Sequence, residues 1–324
     1  MPDAALDSQL GEGTALNNLG VALREERRFD ESIEAHQRAV GIYRGTADRS
    51  GQGMTLTNLG AALREVERFD EAIDALRQAA GIYAEIGDRR NEGAALNGLG
   101  VALREARQLE ESGEAHRLAL HIARSTQDRH GEGVALNNLG RALRDAGRFD
   151  EAIEDHQEAI VIYQEAKDLH SEGSAFNNLG AALAAIGELE KAVEAHRRAA
   201  GLYLETGDKH GAANALTGLG IALQDTRRFD QAIEAHQQVI ALYRQAGDRH
   251  NEGMALVDLG LAYQGGHQLT EAIRSLKHAI DILKSFDDQS SERMANGILR
   301  AVLKQTASSS SASTVEDRRT RGAV

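Results

Sequence analysis

Asn17 and Asn18 stand inside ALNNLG at residues 15–20, and the string returns as ALNNLG at 135–140 and AFNNLG at 175–180. A side-chain amide offers a donor and an acceptor together, so a row of amides can hold both groups of an extended backbone without reading its side chains. Asparagine is also a poor helix former, about 0.6 kcal/mol worse than alanine in a helix interior, which makes its place amid an apolar pattern costly. Asn58, Asn97, Asn137, Asn138, Asn177 and Asn178 extend the two columns that Asn17 and Asn18 begin. A parallel row of cations, Arg24, Arg64, Arg104 and Arg144, is joined by Arg141, which replaces the apolar residue of every related string. Guanidinium groups match carboxylates as planar forks. Together these residues form a candidate peptide site, the amides holding main chain and the arginines selecting acidic groups. Each neutral bond nets only about 0.5–1.5 kcal/mol, so charges or apolar pockets must add to a ladder of four.

Other chemistries find less support. His36, His116, His156, His196 and His236 recur at multiples of 40 residues. Stacked helices would hold them about 8–10 Å apart, too far for shared zinc ligation at about 2.0–2.2 Å. Packed histidines, each with a local hydrogen bond, are expected instead. His130, His170, His210 and His250 fall in junctions between helices and are expected at the surface. The GEG strings at 11–13 and 131–133 lack the GK[ST] of a phosphate loop. No GxSxG elbow organises Ser, His and Asp. Without cysteine, thiolate catalysis and Cys-ligated zinc are excluded. A non-enzymatic protein without cofactor or metal is expected.

With 50 Asp+Glu against 37 Lys+Arg and a net charge of −13, the chain lacks the basic stripe that releases counterions from nucleic acid. It has no Trp and only 4% aromatic residues, which argues against base-stacking platforms. The start, MPDAALDSQL, has neither a basic nor an apolar leader region, and no apolar run approaches a membrane span. A soluble, cytoplasmic protein is expected, with no nucleic-acid or membrane partner.

What positions the amides and arginines is a repeat. In rows of 40 residues, Leu19, Leu59, Leu99, Leu139, Leu179, Leu219 and Leu259 share a column, and Gly20 through Gly260 share the next. Seven units follow, at 8–47, 48–87, 88–127, 128–167, 168–207, 208–247 and 248–287. Each holds two amphipathic helices. Leu16, Leu19 and Leu23 form the apolar stripe of the first, while Phe29, Ile33, Val40 and Tyr43 form that of the second. The column Asp48 to Asp288 sits where an N-cap carboxylate would accept bonds from orphan amides, with Ser8 in the matching place of the first unit. Gly87, Gly207 and Gly247 fit the left-handed residue that ends a helix. A lone unit lacks apolar surface enough to fold, so stacking must stabilise the array. Residues 288–305 repeat only a first helix, with Met294, Ile298, Val302 and Leu303 on one side, and are expected to cap the stack. The Ser-rich stretch 306–324 is expected to be a disordered tail.

The pattern ALNNLGxALR, a turn, then RFDEAIEAHQRA resembles the tetratricopeptide repeat (TPR), with Leu16, Leu19, Gly20, Leu23, Ser32, His36 and Ala39 as the matching residues of the first unit. Six residues beyond the usual 34 lengthen each junction, as in spindle-orientation adaptors and some bacterial regulators. The proline that typically ends the second helix is missing, since the only proline is Pro2. The resemblance implies an all-α fold, a right-handed superhelix (α-solenoid) of antiparallel helix pairs, whose first helices line a concave groove. At 100° steps Asn17, Asn18, Val21 and Thr14 lie opposite Leu16, so the resemblance turns them into that groove. The column of Asn18 matches the asparagines that hold a bound peptide's main chain in TPR chaperone adaptors and O-linked GlcNAc transferase. The implied function is a protein-binding scaffold or adaptor with a protein or peptide partner, acidic if the arginines select it. Two other readings stand beside it: a regulatory or sensor module binding a signalling or intramolecular peptide, and a self-assembling scaffold. Neighbouring asparagines could also simply bond one another, and Glu25 or Glu65 could neutralise Arg24.

Overall fold

A computed structural model describes residues 2–286 and 288–321, with side chains over 6–286 and 288–307. All its elements are α-helices, and they form two compact units, Met1–Lys167 and Asp168–Val324, whose boundary falls between two repeats. The first unit contains α1 (Pro2–Glu25), α2 (Phe29–Gly45), α3 (Arg49–Glu65), α4 (Phe69–Ile86), α5 (Arg89–Glu105), α6 (Leu109–Ser125), α7 (Arg129–Asp145) and α8 (Phe149–Ala166). The second contains α9 (Leu169–Ala185), α10 (Leu189–Thr206), α11 (Lys209–Asp225), α12 (Phe229–Ala246), α13 (Arg249–Gly265), α14 (Leu269–Ser285) and α15 (Gln289–Arg321). Each unit is an α-solenoid in which a helix packs mainly on the one before and the one after it. No described helix is long and apolar enough to cross a membrane.

Local chemistry explains why the helices begin and end where they do. Asp48, Asp88, Asp128, Asp168, Asp208, Asp248 and Asp288 each accept a bond from the backbone N–H three residues on, as an N-cap does. Gly87, Gly207 and Gly247 end α4, α10 and α12 in the left-handed conformation. Ser8 does not cap: α1 starts at Pro2 and runs through it.

Glycines let the paired helices approach. A Cβ on Gly20, Gly100 or Gly140 would lie 2.5–2.7 Å from the ring of His36, His116 or His156, and one on Gly60 would lie 2.5 Å from Leu76. The second helix thus presses its central side chain onto bare backbone of the first, and Ser32 and Ser112 donate to the Gly20 and Gly100 carbonyls at 2.7 Å beside that contact. Two of the most buried carboxylates are paired. Glu132 is held by Arg124 at 2.8 Å and Arg129 at 2.7 Å, and the wholly buried Glu252 by Arg244 and Arg249.

The first helices bury two faces, where the sequence suggests one stripe. Leu16 and Leu23 are covered by α2 of the same repeat, whereas Ala15, Leu19 and Ala22 belong to the face that meets a preceding repeat. No described repeat covers that face of α1, so Leu19 is 49% exposed while Leu59, Leu99 and Leu139 are buried. The last helix shows the converse. On α15, Ala295 and Val302 are buried against what precedes, but Met294 and Leu303, expected on the covered side, are exposed because no second helix among the described residues packs over them. The α15 backbone also continues as helix to Arg321, through most of the stretch expected as a disordered tail. No Gly or Pro interrupts it between Gly297 and Gly322, and 322–324 lie outside the described residues.

Candidate functional site

The two asparagine columns part company in the folded chain. Asn17 and Asn137 are buried, and Asn97 and Asn177 are half-buried. This column turns toward the second helix of its own repeat instead of standing wholly on the open face. The side-chain oxygens of Asn97, Asn137 and Asn177 lie 3.1, 3.0 and 2.9 Å from Nδ1 of His116, His156 and His196. An amide oxygen there makes each imidazole the donor, fixing its Nδ1–H tautomer. The sequence carried a signal of this pairing. Where the second helix has Leu76 or Leu276, the first has Thr57 or Val257 instead of asparagine. These are packed histidines with local bonds, as expected, except that neither ring nitrogen of His36 has a partner among the described residues. His236 pairs its Nε2 with Gln224 at 2.8 Å. Burial holds the imidazoles neutral, lowering His116 and His156 to about 3 and His36, His196 and His236 to about 4. Among the described residues no cluster of His, Asp or Glu is placed to hold a metal.

The column of Asn18 leans toward the preceding repeat. Asn58 Nδ2 donates to Asn17 Oδ1 at 3.1 Å, so neighbouring asparagines do bond one another there. A Cβ on Gly98 would lie 3.0 Å from Leu76, which places that column against the previous second helix. Asn18, with no described repeat before it, is exposed, and Asn138 and Asn178 are half-buried.

The arginines form a ladder with carboxylates one repeat on. Arg64 grips Glu105 with two bonds of 2.7 Å, and Arg104 reaches Asp145 at 2.9 Å. Arg144 turns to Asp145 within its own helix, also at 2.9 Å. Sequence reading missed Glu105 and Asp145 because the partners lie 41 residues apart. Neither Glu25 nor Glu65 ion-pairs with Arg24 within the described residues.

Arg141 differs from Arg64, Arg104 and Arg144, and shares its lack of a partner among the described residues with the half-buried Arg24. It is half-buried on α7 and makes no hydrogen bond or ion pair among the described residues. Burial, then the like charges of Arg104 and Arg144, pull its pKa down, opposed by Asp145 and Glu105. Its counterparts Val21, Ala61 and Val101 in this unit show that the position needs no charge for folding. The site therefore presents a desolvated cation whose neighbours are mostly satisfied.

Helix pairs repeated at constant length, with glycine at the crossing and a polar column on the first helices, define an α-solenoid of the protein-binding class. The tetratricopeptide repeat family model matches residues 11–85, 91–165, 134–205, 171–245 and 211–285, and the chain belongs to that family. No curated protein matches it in sequence. Solved structures share the fold at low identity. Aspartyl phosphate phosphatase F from Bacillus subtilis is 16% identical with TM-score 0.66, over 87% of this chain and 72% of that one. A Rap protein complexed with Competence and Sporulation Factor is 14% identical with TM-score 0.57, over 92% and 99%. A STAND signal-transduction ATPase with a tetratricopeptide repeat sensor, from Pyrococcus horikoshii, is 17% identical with TM-score 0.70, over 90% of this chain and 44% of that one.

Proposed function

We propose that the chain is a non-enzymatic scaffold whose first helices bind a peptide segment of a partner protein, with an acidic side chain of that peptide meeting Arg141. The observation that carries the reading is Arg141 itself, a half-buried guanidinium without a carboxylate partner among the described residues. Arg104 and Arg144 flank it, and Asn138 offers a half-buried amide three residues away for the peptide backbone. Asn97, Asn137 and Asn177 contribute by holding the second helices, not by touching the peptide. The Rap protein of similar fold, complexed with Competence and Sporulation Factor, is consistent with this use of the architecture.

An unpaired, desolvated cation costs stability when nothing is bound. Arg141→Val, which restores the residue type of the sibling repeats, is therefore expected to raise the melting temperature by about 2–4 °C. On an arrayed peptide library the wild type is expected to prefer Asp- or Glu-containing peptides, and the variant to bind them about 10- to 100-fold more weakly. Undiminished acidic-peptide binding by the more stable variant would remove the proposal.

A further inference from the structure

One column of the second helix reads Tyr43, Tyr83, Tyr163, Tyr203 and Tyr243, with Leu283 in the seventh repeat and Ala123 in the third. The tyrosines are buried, and glycines make room for their rings. A Cβ on Gly13 would stand 3.1 Å from the Tyr43 ring, and one on Gly51 would stand 2.6 Å from it. Gly53 and Gly133 abut the rings of Tyr83 and Tyr163 in the same way, as do Gly173 and Gly211 that of Tyr203. Around the third repeat's position both glycines remain, Gly93 on its own first helix and Gly131 on the next first helix, but no ring stands between them. The three atoms nearest a Cβ on Gly131 all belong to Asp128, and those nearest one on Gly93 belong to Ile122 and the Ala119 carbonyl. The space left over is a partly open pocket of about 320 Å³, lined by Gly93, Asn97, Ala119, Ile122, Ala123 and Gly131 and also by the exposed Arg90 and His130.

We propose that this cavity binds a phenol ring supplied from outside the chain, in the place that tyrosine fills in the sibling repeats. An apolar cavity of about 150 Å³ already suffices for benzene, so the volume is ample for a substituted ring. The polar end is provided for as well. Tyr43 Oη lies 3.0 Å from Thr14 Oγ1, and Tyr83 and Tyr203 bond Thr57 and Ser174 of their own first helices. At the position of Thr57 the third repeat has Asn97, whose oxygen is engaged by His116 Nδ1, leaving its NH2 as the donor for a phenol oxygen. The site is independent of Arg141 and does not rest on the acidic-peptide reading.

The probe is p-cresol, the side chain of tyrosine as a free molecule. Calorimetry on the full chain is expected to show saturable binding near one equivalent, with Kd about 0.1–1 mM. Toluene, lacking the hydroxyl, is expected to bind at least about 3-fold more weakly. Ala123→Tyr should fill the hole, raise the melting temperature by a few degrees and abolish p-cresol binding. Ala123→Leu, which copies Leu283 of the seventh repeat, gives the same occlusion if the larger residue impairs folding. N-acetyl-tyrosinamide separates the sources: binding by it identifies a tyrosine within a polypeptide, and binding by p-cresol alone identifies a free phenol. The proposal is overturned if wild type does not bind p-cresol, if binding persists in both Ala123 variants, or if toluene binds equally well.

Discussion

Lowering the pH from 7.5 to 5 is expected to cost the fold on the order of 5 kcal/mol, although the chain is acidic and loses net charge over that range. The cause is the row of buried imidazoles. His36, His196 and His236 are lowered to about 4 and His116 and His156 to about 3 in the folded chain. An unfolded histidine titrates near 6.5. Between these values the unfolded state binds protons that the folded state refuses, so stability falls as pH drops through 6.5 and levels out only below the folded pKa values. At pH 5 each buried histidine contributes about 2 kcal/mol to that loss. Asp155 and Asp258 oppose it. Burial raises them to about 7 and about 6, so they favour the folded state as they gain protons. Urea titrations at pH 7.5, 6.5, 5.5 and 5 measure the sum. Replacing His116 by Leu together with Asn97 by Thr should flatten the pH slope by about one proton. A stability independent of pH between 7.5 and 5 would mean that the imidazoles titrate in the folded chain.

Asn137→Ala is expected to destabilise the chain by about 2 kcal/mol, whereas Asn138→Ala, one residue away, should change stability by under about 0.5 kcal/mol. The first removes the acceptor of a wholly buried imidazole, since His156 Nδ1 faces Asn137 Oδ1 at 3.0 Å and its Nε2 has no partner among the described residues. An orphaned buried donor costs its full desolvation. The combination Asn137→Thr with His156→Leu copies the Thr57 and Leu76 pair of the second repeat and should recover most of the loss. Thermal melts of both single variants and the pair give the coupling directly. If the double variant is no more stable than the sum of its parts, the asparagine and histidine are not a unit.

The same pair shows how far the sequence can be read. Period, helix pairing and N-caps are legible because they are local or strictly repeated: an aspartate before a helical stripe has one physical use. Leu19 is harder. A helical wheel treats burial as a single direction, while a first helix in a solenoid is covered from two sides, by its own partner and by the repeat before. Asn17 fails for the same reason, since an angle opposite Leu16 does not tell whether a neighbouring helix stands there. Ion pairs such as Arg64 with Glu105 escape because they depend on the rise between repeats, which no local pattern encodes. Arg141 and Ala123 remain readable without coordinates, because each breaks a column that the other repeats keep.

The exposed Leu19 and Ala22 carry a consequence for how such a chain changes over generations. The face they form is the one that interior repeats use for docking, so the first repeat presents the same surface as its siblings. Any in-frame gain or loss of a whole repeat leaves every new seam made of surfaces that already fit. Breaks in single columns, Arg141 and Ala123 among them, are then the marks by which one repeat is told from its siblings.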